Sequence, residues 1–365
     1  MPDLELPELR AEGLFGDRTL ARSERYAGGH ALLWAGAVLA QLAALAVLAV
    51  RRPDLRAPLL LRGAAVGALV YVVAWIAVLP FRLAGQWWRR RYDVSELDYL
   101  RFLAQPWSTT LGELALAAVA GATIVGVARL LRRGTWLGLW AAVTAIAVAY
   151  VLLYPSLLAP RLRELDDRAL AAEIQALARD AGLGRTTVEV RKAKERTRAV
   201  NAEAIGAGPT TRVILWDTLL EPEVGRGEIH FVAAHELAHV ARDHLWKGVA
   251  WFALLSLPLL WLLARLVPLR DPSALPAAAL VLVLLQLATL PVAGAVSRRY
   301  EREADWEALR LTREPAAAEA LYRRFVTTSL ADPEPPRLLH VLRGTHPTLV
   351  ERIATARAFA RREIP

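Results

Sequence analysis

The sequence predicts a mostly α, polytopic membrane protein with about six transmembrane helices and one small α+β soluble domain. Three observations carry that reading. The 365-residue chain is 55% hydrophobic, with a mean hydropathy of +0.30. Its apolar residues gather in uncharged runs near the ~20 residues that a helix needs to cross hydrocarbon. Between two groups of such runs, residues 161–247 show the mixed polarity and short alternating segments of a water-soluble fold. The formal charge of +9 comes almost wholly from arginine, since only Lys192, Lys194 and Lys247 are lysines. These arginines cluster at the ends of apolar runs, where positive charge orients membrane proteins, so nucleic acid is not an expected partner. Cysteine is absent, so any metal must be held by His and carboxylate.

Residues 1–29 are polar and too acidic for a secretory leader. Ala31–Val50 is the first apolar run, interrupted only by Gln41. Gly63–Phe81 is the second, with Gly63 and Gly67 at the G-x-x-x-G spacing that permits close helix packing. A polar link over 82–106 sets Trp87 and Trp88 beside Arg89, Arg90 and Arg91, which suits a membrane–water interface. The third run is Trp107–Leu131. Glu113 in its first turns reads as a solvated helix-end acid, the alternative being a functional intramembrane carboxylate. Arg132–Gly134 then turns the chain into a fourth run, Thr135–Pro160, which closes an N-terminal membrane domain over 1–160.

At Arg161 the character changes. Arg163–Ala181 places Leu165, Ala169, Leu170, Ile174, Leu177 and Ala178 at the spacing of an amphipathic helix that stops at Gly182. Thr186–Val190 and Arg212–Trp216 alternate apolar and polar residues and predict strands, with Lys192–Ala199 as a solvated connection. Two further apolar runs, at about 248–269 and 274–297, complete the six. The tail from Arg298 is soluble and helical, broken by Asp332–Pro336. An even number of crossings puts both termini, residues 159–247 and the tail on one face, and the positive-inside rule favours the cytoplasm for it.

The chemistry gathers in His230–His244, HFVAAHELAHVARDH, which reads as one helix opened by Glu228. Inside it, His235-Glu236-Leu237-Ala238-His239 forms H-E-x-x-H. At 100° per residue the two His sit about 40° apart, one turn above the other, and both can reach one metal. Glu236 points about 100° away from His235, badly placed as a ligand and well placed beside a metal-bound water. Chance supplies such a triplet in roughly one chain in a hundred of this composition.

A catalytic zinc takes three protein ligands and leaves one position open. His244 lies about 140° round the helix from His239 and cannot join the pair there, which leaves it a supporting or surface residue. Glu301 and Asp305, in SRRYEREAD (297–305), mirror the His pair at i, i+4. Glu301 can ligate, and Asp305 can accept a hydrogen bond from a ligand His and fix its tautomer. The same acids could instead neutralise the neighbouring arginines, and spacing does not decide between the two.

Together these motifs resemble the type I CAAX prenyl proteases and the related heat-shock membrane zinc proteases. That family pairs H-E-x-x-H with a downstream S-R-x-x-E-x-x-A-D after two membrane helices. The resemblance spans about 150–355. Tyr154-Pro155 and the helix after it resemble the entry to the peptidase domain. Asn201 with RVILWDTLL (212–220) resembles an Asn-containing strand and the segment ahead of the metal helix, and Thr345-His346-Pro347 with Glu351-Arg352 a late H-P-P-x-x-E-R segment.

The resemblance implies one Zn2+ per chain held by His235, His239 and Glu301, with Glu236 as general base. Asp305 becomes a second acid serving the ligands or a proton transfer. Asn201, His346 and Arg352 fall at the substrate backbone or the developing oxyanion, although His346 before Pro347, read alone, is a loop residue opening a helix. The domain over 161–365 is then a small α+β, zincin-like peptidase domain, and the four-plus-two helix layout resembles the prenyl protease branch. Three departures border the substrate: Ala202-Glu203 after Asn201 in place of aromatics, Thr348 after Pro347 in place of a second Pro, and no acidic-aromatic signature over 82–106.

The expectation is an integral-membrane zinc metalloendopeptidase, multi-pass in a bacterial plasma membrane with its peptidase domain facing the cytoplasm. Its partners are a peptide or protein substrate, with or without a C-terminal lipid, and the lipid bilayer. Membrane-protein quality control stands as the alternative to CAAX-type processing, and a non-enzymatic scaffold or channel as the remaining one.

Overall fold

The computed structural model describes residues 5–104, 107–159 and 161–363; Pro160, at the end of the fourth apolar run, and residues 105–106 of the polar link lie outside them. A short α1 (Ala11–Leu14) precedes α2 (Asp17–Arg51) and α3 (Leu59–Arg91). Gly29 of α2 lies against Trp88 of α3, and Gly36 against Phe81, so the two helices run antiparallel. After α4 (Tyr99–Ala104), α5 (Trp107–Leu131) and α6 (Thr135–Leu153) are joined by the tight turn at Arg132–Gly134.

Five helical stretches among the described residues are long and apolar enough to cross a membrane: Asp17–Arg51, Leu59–Arg91, Tyr99–Leu157, His244–Leu266 and Pro272–Thr312. The third contains both α5 and α6 and so holds two of the six apolar runs. Outward-facing Leu39, Val50, Leu116 and Ile146 are exposed, as side chains that meet lipid are.

Packing between α3 and α5 rests on missing side chains. A Cβ on Gly121 would lie 2.2 Å from the Gly63 carbonyl oxygen, and one on Gly67 would lie 2.4 Å from that of Ala117. Gly63 and Gly67 therefore do bring two backbones into contact, which is what their spacing permits.

In the soluble part, the helix expected from Arg163 starts later. Arg163–Glu164 is β1, and α7 (Arg168–Asp180) begins after Asp167, whose carboxylate accepts from the Leu170 amide at 2.9 Å as an N-cap. The strands are β2 (Thr187–Arg191), β3 (Ala202–Ile205) and β4 (Arg212–Trp216), in sheet order β1-β2-β4-β3. β2 and β4 pair in parallel, while β3 pairs antiparallel to β4 and ends the sheet, leaving its other edge free among the described residues.

Six helices follow: α8 (Arg226–Ala241), α9 (His244–Leu266), α10 (Leu275–Thr312), α11 (Pro315–Thr328), α12 (Arg337–Arg343) and α13 (Leu349–Glu363). One core joins the sheet to four of these helices, burying Val213 and Leu215 of the sheet, Phe231 and Leu237 of α8, Leu309 of α10, Tyr322 of α11 and Ile353 of α13. Burying side chains of this size stabilises by about 1.5–3 kcal/mol each. Leu14 and Leu20 join this core, and the Ala11 amide donates to Glu334 at 3.1 Å. The polar N-terminal stretch is thus pinned to the soluble domain.

Two helices deliver the site. α8 is opened by Gly225, whose amide donates to Glu228 Oε1 at 3.0 Å, and Arg324 holds the same carboxylate. α10 runs unbroken for 38 residues, roughly 57 Å at 1.5 Å per residue. Its apolar part ends at Ser297, and the remainder emerges from the membrane-spanning stretch carrying Glu301 and Asp305.

Candidate metal centre

His235 and His239 leave α8 on one face, as H-E-x-x-H on a helix requires, and α10 crosses beside them. The Nε2 atoms of the two His are 3.1 Å apart. Glu301 Oε2 is 3.2 Å from His235 Nε2, and Glu301 Oε1 is 3.5 Å from His239 Nε2. Ligands 2.0–2.1 Å from a tetrahedral zinc stand about 3.3 Å from one another, so this donor set is spaced for such an ion. It is the one group of three or more His, Asp or Glu among the described residues that is arranged to hold a metal. Glu301 Oε2 is buried between the imidazoles with no donor aligned on it, an orphaned acceptor where a cation fits.

Each His of the donor set is backed by a second group. His235 Nδ1 is 2.9 Å from Asp305 Oδ1, in range though poorly aligned as a hydrogen bond. Asp305 in turn accepts two bonds from Arg352, at 2.8 and 2.6 Å, and that guanidinium lies 4.5 Å over the Tyr322 ring. Behind His239 the structure departs from the sequence reading. The metal helix ends at Ala241, Asp243 takes a left-handed φ of 55°, and His244 starts α9. The rotation that separated His244 from His239 on one continuous helix no longer applies. His244 is buried, its Nδ1 2.9 Å from His239 Nδ1, its ring stacked 4.5 Å from Tyr300 and its Nε2 3.4 Å from Glu303. Replacing His244 by Leu is expected to weaken metal retention by about 10-fold or more, read as faster loss to a chelator.

Glu236 projects away from the donor set. Its Oε2 accepts from the Ala204 amide of β3 at 2.9 Å, and burial pushes its carboxyl up to about 7. His346, on the loop after α12, places Nε2 3.2 Å from Glu301 Oε2. Arg352 does not line the cleft; it is buried behind Asp305, whose carboxylate it pairs with. Asn201 stands exposed at the head of β3, its carbonyl accepting from the Trp216 amide at 3.0 Å. A cleft of about 400 Å3 opens onto the donors, lined by Ala204, Gly206, His235, Glu236, His239, Tyr300, Glu301 and His346 among others. Residue patterning missed β3, where only the resemblance expected a strand at Asn201, and it missed Tyr300 and Glu303; Asp243 before His244 was the available signal for a break.

With no ion bound, burial works against charge on His235, but Asp305 and Glu301 outweigh it and take the imidazole up to about 10. Burial likewise opposes the Glu301 carboxylate, and His235 brings it down to about 2. A proton on His235 would compete with a metal for this pocket, and metal uptake would displace it. Below a pKa of about 10 each rise in pH weakens that competing proton, so metal affinity is expected to increase across the neutral range, approaching about tenfold per unit. Chelator competition at several pH values checks it.

An H-E-x-x-H helix, a Glu from a second helix and a small mixed sheet beside them define the fold and site of a metallopeptidase. The chain belongs to peptidase family M48, whose family model matches residues 164–360. It is 29% identical over 238 residues to the "Uncharacterized metalloprotease YhfN" of Bacillus subtilis (strain 168), a match covering 60% of this chain. The chain spans 56% of the length of that relative. The crystal structure of S. mikatae Ste24p superposes with a TM-score of 0.76 over 96% of this chain and 91% of that one, at 19% identity, a likeness of fold.

Proposed function

We propose that this chain is a multi-pass membrane zinc metalloendopeptidase. The observation that carries the reading is the donor set of His235, His239 and Glu301, spaced for one tetrahedral ion at the floor of a cleft. When bound there, zinc supplies Lewis-acid polarisation of a carbonyl and an acidified water. Glu236, beside the donors and not among them, takes the proton of the attacking water and returns it to the leaving amine. β3 is an edge strand beside the same cleft, its Ala204 amide held by Glu236, and an extended peptide would add along that edge. His346 donates to the developing oxyanion, and Asn201 at the head of β3 meets the substrate backbone. Arg352 acts from behind, by fixing Asp305 and through it His235.

The substrate is a peptide or protein presented at the bilayer. The motif resemblance and the four-plus-two layout favour C-terminal processing of a lipidated protein in the CAAX manner over general membrane-protein quality control. The Arg- and Ala-rich composition and the arginines flanking the apolar runs support a bacterial plasma membrane with the peptidase domain in the cytoplasm. The test is purified, zinc-loaded chain given farnesylated and unmodified versions of one peptide side by side. Cleavage of the farnesylated form alone supports CAAX-type processing, and equal cleavage supports quality control. If zinc is bound and neither these peptides nor an unfolded protein is cut, the endopeptidase reading fails.

A further inference from the structure

Gly294, Arg298, Glu301 and Asp305 recur along α10 at intervals of four, three and four residues, so they share one face of the helix. The metal centre accounts for Glu301 and Asp305. Arg298 and Gly294, about one and two turns nearer the membrane, have no part in it. Arg298 Nη1 donates at the C-terminal end of α12 to the carbonyl oxygen of the capping residue Gly344 at 2.5 Å and, at 3.3 Å, to that of His340, which also accepts the Gly344 amide. Gly294 leaves the room for this contact: a Cβ there would lie 2.8 Å from Arg298 Nη1 and 3.1 Å from the Gly344 oxygen.

What Arg298 holds is the start of the segment that carries His346. Two residues beyond Gly344, the His346 ring stands 3.2 Å from Glu301 Oε2, its Nδ1 2.9 Å from the Thr345 hydroxyl. Its side chain is 53% exposed, so little packing of its own fixes it and its place depends on the backbone beneath. Further on, Arg352 binds Asp305. The strap from Gly344 to Arg352 is thus fastened at both ends to one face of α10, with His346 between the fastenings.

We propose that Arg298, seated in the space left by Gly294, is the positioning residue for His346. The strap is held by the same helix that supplies the metal ligand, so ligand and His346 keep one spacing. This rests on His346 serving the substrate, as proposed above.

The experiment uses the full chain in lipid nanodiscs. Because it has no cysteine, Thr345→Cys gives a unique thiol for a nitroxide label whose mobility reports the strap without any activity. The label is expected to be restrained in the parent, and freed by Arg298→Ala or by Gly294→Val, which keeps the charge and fills the space. Arg298→Lys keeps the charge at the membrane boundary and is expected to be intermediate. With β-casein as probe and Thr345 intact, Arg298→Ala is expected to lower kcat about 10- to 100-fold at unchanged zinc content and little-changed KM. In a His346→Ala background it should cost nothing further. A label equally restrained in Arg298→Ala overturns the proposal, as do losses that multiply in the double variant. If the label is freed but His346→Ala cleaves normally, the anchoring stands and the role given to His346 falls.

Discussion

Glu236→Gln is expected to abolish cleavage while one metal per chain remains. The side chain is buried and directed away from the donors, and its Oε2 accepts the Ala204 amide at 2.9 Å. Gln has the same shape, and its carbonyl oxygen can accept that amide, so the fold and the ligand geometry should survive. Its amide cannot take a proton from water at neutral pH. Loss of a positioned general base costs about 10²–10⁴ in rate, or roughly 3–5 kcal/mol of barrier. Steady-state rates on an unfolded protein, with metal analysis of the same preparations, measure both halves. Retained activity contradicts the role given to Glu236.

Arg352→Leu carries the second large effect. Arg352 and Asp305 have side-chain exposures of 8% and 3%, and the two bonds between them are the charge balance for a carboxylate that also faces His235. Removing the guanidinium strands Asp305, and breaking a buried pair in this way costs about 3–5 kcal/mol. The expected result is a much lower midpoint in thermal unfolding, together with weaker metal binding as His235 loses its oriented partner. A midpoint within a degree or two of the parent would mean that the pair is not what holds this end of α13.

The His pair was legible in the sequence because helical spacing places His235 over His239, whereas spacing left Glu301 and Asp305 undecided and only the family resemblance pointed to Glu301. Long apolar runs were legible for the same kind of reason, since a helix crossing hydrocarbon satisfies its own backbone and shows no polar residues. β3 was not: Ala202-Glu203-Ala204-Ile205 is four residues without β-branched enrichment before Ile205, and its partner β4 fixes it as a strand. The helix break that sets His244 behind His239 rests on a left-handed Asp243, a backbone state that Asp tolerates better than most residues, so the Asp was the one local sign of it. The burial of Arg352 was hidden for a different reason. Its neighbour Asp305 lies 47 residues away on another helix, and no local pattern says which of the two faces substrate. Leu14 and Leu20 stand in a polar stretch whose hydrophobic partners are also distant in sequence.

The central claim is that α10, emerging from the membrane-spanning stretch, completes the metal site of α8. The most direct measurement is zinc per chain after dialysis against a mild chelator, for the parent and for Glu301→Ala. One zinc per chain is expected in the parent and near none in Glu301→Ala, with both preparations folded. Equal zinc in the two would contradict it.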